Sequence, residues 1–211
     1  MKELKNDIKY FIQLDENQKL AKAGVFDKSV SIFLGEFGSG KTAVAVMAAL
    51  DLLFKKKVDK INITRPIDFE ATGYLSGDIN EKMKFHIMPV KENMYSCYNK
   101  EKIDQLFADE VIRIIPIDYM KGMTFTRTCT IIDEFEDIPF KDFEKIVKRN
   151  GKGSKLIFTG DKEQTDIPNS CMTKIMCLKH YDKVNYHVLP ESSFYRDQDS
   201  KLILQYIKEN S

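Results

Sequence analysis

Val30-Ser-Ile-Phe-Leu34 runs directly into Gly35-Glu36-Phe37-Gly38-Ser39-Gly40-Lys41-Thr42, and from there into an apolar stretch that reaches Phe54. The first five residues read as a buried strand, because a short apolar run closed by glycine suits the interior of a parallel sheet. The next eight satisfy the spacing G-x-x-x-x-G-K-[ST], and they lie between a strand and a helix, the context that a phosphate-binding loop requires. Gly38 and Gly40 allow the backbone to curl until successive N–H groups face an anion. The helix that follows adds the partial positive charge of its amino end. Lys41 is the residue type that reaches the β- and γ-phosphates, and the Thr42 hydroxyl is a Mg²⁺ ligand. The eight residues Gly35 to Thr42 are therefore read as the nucleoside triphosphate site.

The helix expected from Ala43 to Phe54 is apolar on nearly every face, so it must be covered on several sides. Further strands are expected at Lys60–Thr64, Val111–Ile117, Thr128–Ile132, Ser154–Phe158 and Val184–Leu189. Helices are expected over Glu92–Glu110, Phe140–Arg149 and Ser200–Glu209. Strands alternating with helices predict an α/β fold: a single domain over 1–211, with a mostly parallel sheet covered by helices on both faces. Residues 64–94 carry Pro66, Gly73, Gly77 and Pro89 with little periodicity, and read as a long loop or small insertion.

Ile131-Ile132-Asp133-Glu134 supplies a second element of chemistry. Asp133, at the carboxyl end of a buried strand, is placed to hold Mg²⁺ through water, beside the Thr42 ligand. Glu134 offers a carboxylate that orients or deprotonates water. Thr159-Gly160-Asp161 closes the next strand, with Gln164 and Asp166 following. Ligands of such sheets lie beyond the strands' carboxyl ends, so Asp161 or Gln164 is a candidate contact to the γ-phosphate or the attacking water.

Composition sets the outer bounds. Lys plus Arg number 33 and Asp plus Glu 32, a net charge of +1, which excludes a uniformly basic coat or an acidic tail. The first seven residues have no apolar run behind them, so no signal peptide is expected. No stretch approaches the ~20 apolar residues of a membrane span. Four Cys without a C-x-x-C pair suit a reducing compartment, and a cytoplasmic protein is expected. Cys171, Cys177, His180 and His187 match neither common zinc spacing and read as free buried cysteines and ordinary histidines. Lys145, Lys148, Arg149, Lys152 and Lys155 form a basic stretch that could face nucleic acid if its loops lie on the ligand side. A guanine-specific N-K-x-D motif is absent, since Asn99-Lys100-Glu101-Lys102 lacks the Asp.

Taken in order, these pieces resemble the PhoH-like proteins, P-loop ATPases related to superfamily 1 helicases. The matching segments are Asn17-Gln18-Lys19, the P-loop, Thr64-Arg65-Pro66, Gly73 through Lys82, and Tyr119 through Thr124. They continue with Ile131 to Glu134, Gly153-Ser154-Lys155, and Thr159 through Pro168. The resemblance implies a RecA-like core, ATP, Mg²⁺, and a ring of identical subunits, a hexamer, acting on RNA or single-stranded DNA. It implies that Gln18 reads the adenine edge, that Arg65 belongs to the helicase-like segment after the second strand, and that Gln164 senses the γ-phosphate. Arg149 and Arg196 are the two candidates for an arginine finger at a ring interface. Lys121-Gly122-Met123-Thr124 stands where the family shows Arg-Gly-Arg-Thr, and Phe135-Glu136 where it shows a small residue and Gln. A compact, Lys- and Ile-rich member of this kind suits a phage-encoded protein. Two other functions fit the residues: a small P-loop phosphotransferase, and an assembly module that nucleotide switches with negligible turnover.

Overall fold

A computed structural model describes residues 13–36, 38–66, 86–120, 122–161, 170–190 and 206. Six strands form one sheet: β1 (Val30–Leu34), β2 (Lys60–Thr64), β3 (Ile112–Ile114), β4 (Thr128–Asp133), β5 (Lys155–Gly160) and β6 (Val184–Val188). Their order is β3-β2-β4-β5-β1-β6, and every neighbouring pair is parallel. All strand carboxyl ends therefore share one edge, where the P-loop, the turn after β4 and the turn after β5 converge.

The period-2 alternation of each strand divides the core in two. Phe33, Ile61, Ile63, Cys129, Ile131 and Ile157 point to one face. Ile32, Leu34, Ile132, Leu156 and Phe158 point to the other. On the first face lies α2 (Lys41–Phe54), buried at ten successive positions from Ala43 to Leu52. A helix without a polar face is stable only when enclosed, and α1 (Glu16–Asp27), α3 (Met88–Cys97) and the sheet enclose it. On the second face lie α5 (Ile117–Met120), α6 (Phe140–Lys148) and α7 (Met172–Ile175). Phe143 and Phe135 pack their rings on Phe158 with centroids 4.9 and 5.5 Å away. Among the described residues no helix is long and apolar enough to cross a membrane.

Several boundaries differ from the sequence reading. The helix expected over 92–110 is two helices, α3 and α4 (Lys100–Ala108), because Asn99 adopts an extended backbone and caps α4, its side chain accepting from Lys102 N at 2.9 Å. Pro89 in the first turn opens α3 at Met88, so the end of the 64–94 segment is helical. The strand expected over 111–117 shortens to Ile112–Ile114, as Pro116 cannot donate to the ladder and starts α5 instead. The helix expected over 200–209 lies outside the described residues save Tyr206. α1 has no counterpart in the sequence reading. Its signature is a capping box in which Gln18 N donates to Asp15 Oδ1 and Asp15 N to Gln18 Oε1.

The basic stretch is on the opposite edge from the one its nucleic-acid role requires. In a parallel sheet the turn before β5 lies at the strands' amino ends, away from the P-loop. Lys155 is spent there, donating to Phe26 O at 2.7 Å and Lys28 O at 2.8 Å, where it closes the carboxyl end of α1. Of the two cysteines read as buried, Cys171 is buried and Cys177 is exposed.

Candidate functional site

Gly38 and Gly40 have φ of 87° and 79°, the left-handed region where a side chain is strained. Gly40 is the N-cap of α2 and makes no side-chain hydrogen bond to it, so the first N–H groups of the helix lack a side-chain cap. Gly35 is required by close approach, since a Cβ there would meet Leu189 O at 2.5 Å and Ser39 Oγ at 2.6 Å. Lys41 Nζ donates to Gly35 O at 2.6 Å and Glu36 O at 2.8 Å, so the loop closes on its own ammonium group. Burial lowers the Lys41 pKa, an effect opposed by the carboxylates of Asp161, Glu136, Asp133 and Glu134.

Gln18 supports this loop from behind. It is buried, its Nε2 donates to Ser39 O at 3.0 Å, and its Oε1 serves the α1 capping box. Both ends of the amide are thus engaged within the protein, one on the P-loop and one on the α1 cap. Glu36 is exposed and Ser39 buried, while Phe37 lies outside the described residues.

Beside the loop is a cleft of about 340 Å³ whose lining includes Lys41, Thr42, Asp133, Glu134, Glu136 and Asp161, together with Arg65 and Asn93. Thr42 Oγ1 donates to Asp133 Oδ1 at 2.8 Å, and Thr159 Oγ1 donates to the same oxygen at 2.5 Å. β5 lies between β1 and β4, so Thr159 fills the space between the P-loop and Asp133. Glu134 has φ 54° and ψ 49°, a left-handed backbone that costs a residue with a side chain roughly 1–2 kcal/mol. That conformation turns it out of the strand line, and Arg65 forms an ion pair with its carboxylate. Glu136 is buried in the same cleft; burial pushes its pKa up to about 7, against backbone N–H groups of Glu136 and Asp161 that pull it down.

The donor set fits Mg²⁺ and a polyphosphate. Thr42 and Asp133 present adjoining hard oxygens, and Mg²⁺ is bound through one or two such protein oxygens with water and substrate phosphates completing the shell. Among the described residues no group of three or more His, Cys, Asp or Glu forms a cation site on its own.

Of the two arginine candidates, Arg149 ends α6, its carbonyl accepting from Phe125 N at 3.0 Å, on the amino-end edge away from its own cleft. Arg196 and Gln164 lie outside the described residues. Asn93 and the Arg65–Glu134 pair escaped the sequence reading. Neither has a local motif, since Asn93 enters from α3 and the pair joins the ends of β2 and β4.

Comparison with known proteins agrees with this geometry. The family model described as PhoH-like protein matches residues 11–208. A PhoH-like protein of Synechocystis is 34% identical over 142 residues, 66% of this chain and 43% of that one. One from Bacillus subtilis is 30% identical over 184 residues, 84% of this chain and 58% of that one. The chain spans about half the length of the curated relatives it matches. Among solved structures, the large terminase of a thermophilic bacteriophage aligns with a TM-score of 0.59 at 14% identity, over 92% of this chain and 49% of that one. The Pif1 helicase of Candida albicans aligns with a TM-score of 0.51 at 16% identity, over 93% and 44%. At these identities the structural likeness shows the fold: a RecA-like P-loop core. The chain belongs to the PhoH-like protein family.

Proposed function

We propose that this member of the PhoH-like family is an ATPase that couples Mg²⁺-dependent hydrolysis to RNA or single-stranded DNA as a homohexameric ring in the cytoplasm. The observation that carries the reading is the Thr42–Asp133 hydrogen bond, 2.8 Å long, inside a cleft shared with Lys41 and Glu134. Lys41 and the backbone N–H groups of the glycine loop bind the phosphates, while Thr42 and Asp133 hold the cation. A cation held by Thr42 and Asp133 would supply charge neutralisation for the bound phosphates. Glu134 orients a water and accepts its proton as the water oxygen bonds to the terminal phosphorus. The bond to the bridging oxygen breaks, and the electron pair leaves with ADP. Gln164 contacts the γ-phosphate or that water, and Arg196 or Arg149 of a neighbouring subunit completes the site.

The test is phosphate release from ATP and Mg²⁺, with and without single-stranded RNA or DNA, using Glu134→Gln as the blank. Turnover stimulated by nucleic acid and falling ~100-fold or more in Glu134→Gln supports the reading. A variant that hydrolyses like the parent removes Glu134 as the base. A second reading, a nucleotide-switched assembly module, draws on the engagement of Glu134 by Arg65, which occupies that carboxylate with an ion pair. Slow turnover indifferent to nucleic acid favours it.

A further inference from the structure

Arg65 follows β2 and faces two partners at once. One guanidinium nitrogen forms the ion pair with Glu134, and another donates to His86 O at 3.3 Å. Its side chain is 19% exposed, whereas that of Glu134 is 42% exposed, so the arginine is the fixed member and the carboxylate the one that solvent reaches. Arg65 and Lys41 line the same cleft, whose wall otherwise carries the carboxylates of Asp133, Glu134, Glu136 and Asp161. A bound polyanion needs cationic partners against that field, and Lys41 has only its own loop carbonyls to relinquish. The planar guanidinium fork matches phosphate oxygens as well as it matches a carboxylate. A terminal phosphate is therefore a direct competitor of Glu134 for Arg65.

We propose that Arg65 is the residue by which the cleft distinguishes a nucleoside triphosphate from a diphosphate, exchanging its ion pair with Glu134 for the terminal phosphate. The exchange does two things in one movement. It adds a cation where the triphosphate has one more charged group than the diphosphate, and it frees the Glu134 carboxylate to accept a proton from water. With a diphosphate bound the pair stays closed and Glu134 is held. This inference rests on the reading of the cleft as a nucleotide site.

The experiment is calorimetric titration of the parent, Arg65→Ala and Arg65→Lys with Mg²⁺ and either AMP-PNP or ADP. In Arg65→Ala, AMP-PNP binding weakens roughly 10- to 100-fold, the range for one charge-assisted hydrogen-bonding partner, while ADP binding moves less than about 2-fold. Arg65→Lys, which keeps the charge and loses the fork, falls between. Equal losses for the two nucleotides, or no loss for either, overturn the proposal. Retained ADP affinity reports an intact cleft in each variant. If Arg65→Ala does not fold, Arg65→Lys decides, since an unchanged AMP-PNP to ADP ratio there overturns the proposal. A parent that binds neither nucleotide overturns the nucleotide reading itself. A parent that discriminates, beside variants that discriminate equally, overturns only the role of Arg65.

Discussion

Thr42 Oγ1 lies 2.8 Å from Asp133 Oδ1 although 91 residues of sequence separate them. The first residue opens the helix after β1 and the second closes β4, two strands that are not neighbours. The Thr159 hydroxyl from the intervening β5 reaches the same carboxylate oxygen at 2.5 Å. Three segments thus converge on one oxygen at the carboxyl edge of the sheet.

Asp133→Asn tests that convergence, because it preserves shape and removes the charge. Turnover falls about 100-fold or more, as expected for loss of a metal's charge stabilisation. Added Mg²⁺ then no longer strengthens triphosphate binding. Titration of AMP-PNP with and without Mg²⁺ reads the second effect independently of turnover.

Lys41→Ala removes an ammonium group that closes the loop on the carbonyls of Gly35 and Glu36. Triphosphate affinity drops by at least ~100-fold, while the thermal midpoint changes little, since the lost partners are carbonyls that face the cleft and accept water instead. Calorimetry alongside a melting curve separates the two. An affinity within a few-fold of the parent's would remove Lys41 from the phosphate site.

Glu136 gives the fold a pH dependence of definite sign. Its folded-state pKa is raised from 4.5 to about 7, chiefly by burial. A raised pKa favours the folded state most below the unfolded value, and that advantage is lost as pH climbs towards the folded one. Between pH 4.5 and 7 the parent therefore loses on the order of 3 kcal/mol that Glu136→Gln, lacking the ionisation, does not. Denaturant unfolding at pH 5 and pH 8 should show the variant gaining on the parent at the higher pH. A gap that is constant with pH would mean that Glu136 is not the group responsible.

Gly160 is fixed by the same carboxylate. A Cβ there would meet Glu136 Oε2 at 2.5 Å and the Phe135 ring at 2.7 Å. Gly160→Ala displaces Glu136 or the packed Phe135 ring and costs about 1–3 kcal/mol by overpacking, seen as a lower denaturant midpoint. An unchanged midpoint would show that the two side chains can yield.

Much of the fold is legible in the sequence because its signals are local. The P-loop spacing, the apolar strand before it and the uniformly apolar helix after it predict the β1–α2 unit as it stands. Asp133-Glu134 at a strand end and Thr159-Gly160-Asp161 at the next likewise stand where their motifs predict. α1 escapes such a reading because its buried positions, Gln18, Ala21 and Val25, include an amide and a small residue, which leaves a faint apolar stripe. The basic stretch misses the ligand side for a different reason: charge spacing does not reveal at which end of a strand a turn lies.

Short stretches of chain fix the groups available: a glycine-rich P-loop with its lysine, a hydroxyl, and two adjacent carboxylates at a strand end. These depend on spacings of a few residues, within which backbone geometry leaves little choice. Which groups share the cleft is set at the level of the assembled sheet. The strand order puts β5 between β1 and β4 and so brings Thr159 onto Asp133, and β2 beside β4 puts Arg65 against Glu134. Those neighbours follow from the crossovers and from burial of both sheet faces, long-range constraints that leave no mark on any short stretch of chain.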